Sequence, residues 1–94
     1  MLTSLDETYT IKIPGEILAP VDDNPHQVTI RPLTVHSFQM IAKAAKDDHF
    51  LIPLLMVKEA VIEPELSIQE IRSMKVGLVN FLVSEIKRLS GIMQ

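Results

Sequence analysis

Apolar positions along this chain follow two rhythms: a period of two near the N-terminus and a helical period after residue 34. Residues 8–13, Thr-Tyr-Thr-Ile-Lys-Ile, alternate and are rich in β-branched and aromatic side chains, which predicts a short strand. Residues 26–32, His-Gln-Val-Thr-Ile-Arg-Pro, alternate again, with Val28 and Ile30 on one face and Thr29 and Arg31 on the other. Between them, residues 14–25 hold three of the six prolines, a glycine, two Asp and an Asn, which predicts a loop. Ile17, Leu18 and Val21 in that loop are expected to fold back on the core. The two strands read as an antiparallel hairpin with a long, proline-stiffened connection. A lone hairpin is marginal in water, so helices or a further strand must pack against it.

Thr34 is a good N-cap for a helix from Val35 to about Lys46, with Val35, Phe38, Ile41, Ala42 and Ala45 as its buried stripe. Asp47-Asp48 should end that helix and cap the next. The following stretch, HFLIPLLMVKEAVI over residues 49–62, is apolar almost all round when placed on a helix. Leu51, Leu55 and Ile62 lie on one flank, Leu54, Val57 and Val61 on the next, and Met56 and Ala60 beyond those. Pro53 sits in the first turn, where a missing N–H matters least, and Glu63-Pro64 is expected to stop the helix. Such a helix has to be covered on nearly every side. Either it lies at the centre of the domain, or one flank faces a partner; Ile52, Met56 and Ala60 are the residues for that flank.

Ser67-Ile68-Gln69-Glu70 has the pattern of a capping box and predicts a short helix to about Met74. A last helix runs from Val76 to about Ser90, with Gly91 as its left-handed cap. Val76, Leu78, Val79, Leu82, Val83, Ile86 and Leu89 form its apolar face; Phe81 falls outside that face and is a second candidate contact with a partner. The expected fold class is α+β: one small domain over residues 1–94, with a tail at 1–7, a hairpin at 8–32 and three to four packed helices at 34–92.

Composition sharpens this picture. Apolar residues make up 47% of a 94-residue chain, which has little core of its own to hold them, so a partner or a second copy of the chain is expected to cover part of that surface. The net charge of −3 and the scattered Lys and Arg argue against nucleic acid. Arg31, Lys43, Lys46, Lys58, Arg72, Lys75, Lys87 and Arg88 make no single stripe, so a small regulator that binds nucleic acid ranks well below a protein binder. With no Cys, thiolate metal sites and disulfides are excluded, which suits a cytosolic setting. The first ten residues lack the basic start and long apolar core of a secretion signal, and the uncharged run Phe50–Val57 is too short to span a bilayer.

Candidate chemistry is thin. His26 follows Asp22 and Asp23, and His49 follows Asp47 and Asp48, but neither spacing matches a metal motif; these Asp residues read as turn formers and caps. Ser37 next to His36 is no nucleophile and base, because adjacent helical residues diverge. The glycines stand alone at 15, 77 and 91, so there is no phosphate loop. The paired carboxylates, Asp22-Asp23, Asp47-Asp48 and Glu63 with Glu65, lie in loops expected to be exposed. The five Met read as core fillers, end residues or the lining of an adaptable groove. No enzyme, metal or cofactor is expected.

The layout as a whole resembles a known kind of protein. A strand, VTIRPLT at 28–34, runs straight into a helix; a second helix ends at Val61-Ile62-Glu63-Pro64-Glu65-Leu66-Ser67; Ile68-Gln69-Glu70-Ile71 opens a short helix; the last closes on Ile86-Lys87-Arg88-Leu89-Ser90-Gly91. Over about residues 8–92 this resembles the small tail assembly chaperones and baseplate-hub proteins of tailed phages and related contractile machines. It departs from them at Met74-Lys75-Val76-Gly77, where an Asp is expected at the start of the last helix. The resemblance implies a non-enzymatic binder of tape measure, tube or hub proteins. Such a protein works in the host-cell cytoplasm as a transient chaperone, or stays in the tail or baseplate as a permanent subunit. It implies no membrane partner.

Overall fold

A computed structural model describes residues 7–14 and 27–91. Those residues form three strands and four helices, in the order β1 (Tyr9–Lys12), β2 (Gln27–Ile30), α1 (Val35–Ala45), α2 (Leu51–Ala60), β3 (Val61–Glu63), α3 (Ile68–Arg72) and α4 (Val76–Leu89). The α+β class and the N-terminal antiparallel hairpin are as expected. The loop with Ile17, Leu18 and Val21, the tail at 1–6 and His26 lie outside the described residues.

The sheet has the order β1-β2-β3 and is antiparallel throughout. Tyr9 pairs with Ile30 and Ile11 with Val28, so these four share the core face, while Thr10 and Thr29 pair on the other. The alternation of the two sequences set this register, because a slip of one residue would turn Val28 and Ile30 to water. The third strand corrects the expected helix end. The helix stops at Ala60, and Val61 takes an extended conformation with φ −80° and ψ 112°. The chain thus passes from helix to strand with no loop. Its last carbonyl is not orphaned: the N–H of Arg31 donates to the oxygen of Ala60 at 2.8 Å. Two adjacent β-branched residues followed by a residue restricted by Pro64 favour the extended form. An irregularity in the β2–β3 pairing lies between Thr29 and Ile30.

The caps follow the sequence closely. Thr34 Oγ1 accepts from the N–H of Ser37 at 3.1 Å and opens α1. Ser67 and Glu70 form the reciprocal capping box of α3, with bonds of 2.8 and 3.1 Å. Asp48 takes part ahead of α2 as the acceptor for the N–H of Phe50, in a turn rather than as the formal cap. Gly91, with φ +76°, follows α4 in the left-handed region that glycine tolerates. Lys46 closes α1 at φ 54°, and its N–H donates to Ala42 at 3.1 Å.

One hydrophobic cluster joins all of this. Ile30, Val57, Ala60, Ile71 and Ile86 are fully buried in it, and Met56 and Leu82 nearly so. Helix α2 is central: it packs against α1, α3 and α4 and runs into β3. That answers the demand of a helix apolar on nearly every side. A bond from the N–H of Leu33 to Ser90 Oγ, 2.8 Å long, ties the exit of β2 to the end of α4. No described helix is long and apolar enough to cross a membrane.

Two stability changes follow. Ile30→Ala empties a fully buried site on the central strand and should cost about 2–5 kcal/mol. Ser67→Ala removes one half of the capping box and should cost about 1 kcal/mol. Urea denaturation of both variants checks the order of the two losses.

Candidate protein-docking surface

The residues that sequence reasoning assigned to a partner are largely core. Met56 is 2% exposed and Ala60 is fully buried. Ile52 and Phe81 are half-buried and pack against the same cluster. Met56 and Ala60 are therefore covered from within the chain, and the expectation that they face a partner is corrected. Phe81 falls outside the α4 stripe on a simple helical projection, yet it still reaches the cluster, because a large ring at the edge of a stripe can lie against a neighbour.

Free apolar surface lies elsewhere, mainly on α1. Its expected stripe of five residues is only partly covered. Ile41 and Ala45 are buried, but Val35 is 77% exposed, Phe38 is 41% exposed and Ala42 is exposed. Val35, Phe38 and Ala42 follow one another at spacings of three and four, so they form one continuous strip beside the buried line. His36, Gln39 and Lys43 lie beyond it as the polar face, all exposed. The helix touches the domain through α2 and presents this strip to water because nothing else among the described residues packs heavily on it. Met40 on the same helix is 53% exposed. Phe50, Ile62 and Val76 are also exposed, each in a different part of the fold. Val76 had been expected in the buried face of α4; as the first residue of that helix it stays in water. Single exposed apolar residues are ordinary, whereas a connected strip is a candidate contact surface.

The polar residues considered for chemistry do not assemble. Thr34 Oγ1 and Ser37 Oγ lie 3.1 Å apart, so Ser37 belongs to the cap of α1. His36, His49, Asp47, Asp48, Glu63 and Glu65 are all exposed. No three His, Asp or Glu side chains among the described residues gather in a way that could hold a metal, and none of the described buried side chains is polar or charged. Asp22, Asp23 and His26 lie outside the described residues. Basic residues are partly engaged in ion pairs: Arg31 with Glu59 of α2 at 3.1 Å, and Arg88 with Glu85 one turn away on α4. Both pairs are partly solvated and contribute little to stability.

Comparison with known protein families, curated proteins and solved structures finds no match.

Burial separates the two sets of residues by experiment. Met56→Asp places an unpaired charge in the cluster and should unfold the chain. Val35→Asp and Phe38→Asp act on exposed positions, and each should leave the thermal midpoint within a few degrees of the parent. Circular dichroism melting distinguishes these outcomes.

Proposed function

We propose that this chain is a non-enzymatic protein-binding module, and that the exposed strip Val35–Phe38–Ala42 on α1 is where it takes a partner helix. The observation that carries this reading is the half-covered stripe. A helix whose apolar side is wider than its own domain covers is suited to anchors spaced three and four residues apart on another helix. The setting that fits best is the assembly of a phage-like tail, with tape measure, tube or hub proteins as partners. Support for that setting is the resemblance in layout: a strand leading straight into a helix, a capped short helix after Pro64, and a long last helix closed by glycine.

A transient chaperone and a permanent baseplate subunit would use the same contact. They differ in whether the chain remains in the finished particle, which mass spectrometry of purified tails decides. A nucleic-acid module has less in its favour, since the basic side chains are scattered and two of the arginines are paired with carboxylates.

Binding to purified tape measure, tube and hub proteins, measured by calorimetry, tests the reading. One of them should bind, and Phe38→Asp should weaken that binding by about 30-fold or more, the usual scale for losing an interface anchor. Binding that is indifferent to both Val35→Asp and Phe38→Asp would remove α1 from the interface. Failure of every tail protein to bind would overturn the tail setting.

A further inference from the structure

We draw no further inference here: the strongest candidate, the surface patch of Lys43 and Lys46 flanking the exposed strip of α1, belongs to the docking surface already described, and the exposed Asp47 and Asp48 directly after it leave no net charge to say what chemistry covers it.

Discussion

Water has to be kept from most of the circumference of α2 at once, and that requirement arranges the domain. A helix with one apolar stripe can lie on a surface, but a helix with Leu54, Leu55, Met56, Val57 and Ala60 spread around it needs neighbours on several sides. Helices α1, α3 and α4 provide them, and β3 continues directly from its end. Only Lys58 and Glu59 keep one narrow side in water. Among the described residues only apolar side chains are buried, so no buried polar side chain is left needing a partner.

The junction of α2 and β3 couples the two halves of the fold. With no connecting loop, the axis of the helix and the position of the third strand cannot vary independently. The Arg31–Ala60 bond joins the end of the helix to the central strand, and the Leu33–Ser90 bond joins the exit of that strand to the end of α4. Backbone groups that would otherwise be stranded at element ends are thus used to hold the sheet to the helices. Among the described residues, the exposed features include a strip on α1 and the outer edge of β1. The strip is suited to recognition of other polypeptides through its side chains. This is the physical basis for the proposal that the protein binds other polypeptides.

The candidate site was much less legible in the sequence than the fold. Periodicity reports that a residue is apolar and which side of a helix it occupies, but not whether a neighbour is there to cover it. Val35 and Phe38 have the same pattern as Ile41 and Ala45, yet only the latter pair is buried. Met56 and Ala60 read equally well as a partner surface until the other helices are seen around them. Phe81 was misplaced for a related reason, since a projection onto a helical wheel ignores the reach of a large side chain. The third strand carried a faint signal in Val61-Ile62 ahead of a residue restricted by proline, but the helical period running into it from Leu51 masked the change.

By itself the sequence determined what depends on near neighbours: the hairpin register, the Thr34 and Ser67 caps, the stop at Gly91, and the need for α2 to be surrounded. Those outcomes rest on backbone conformation and hydrogen bonds spanning a few residues, or on alternation that forces one face inward. Tertiary structure decided where α2 hands over to β3, which half of the α1 stripe stays in water, and which strand is left at the edge. Each of these depends on which distant segment arrives to exclude solvent, and pairing between distant segments is a property of the assembled chain.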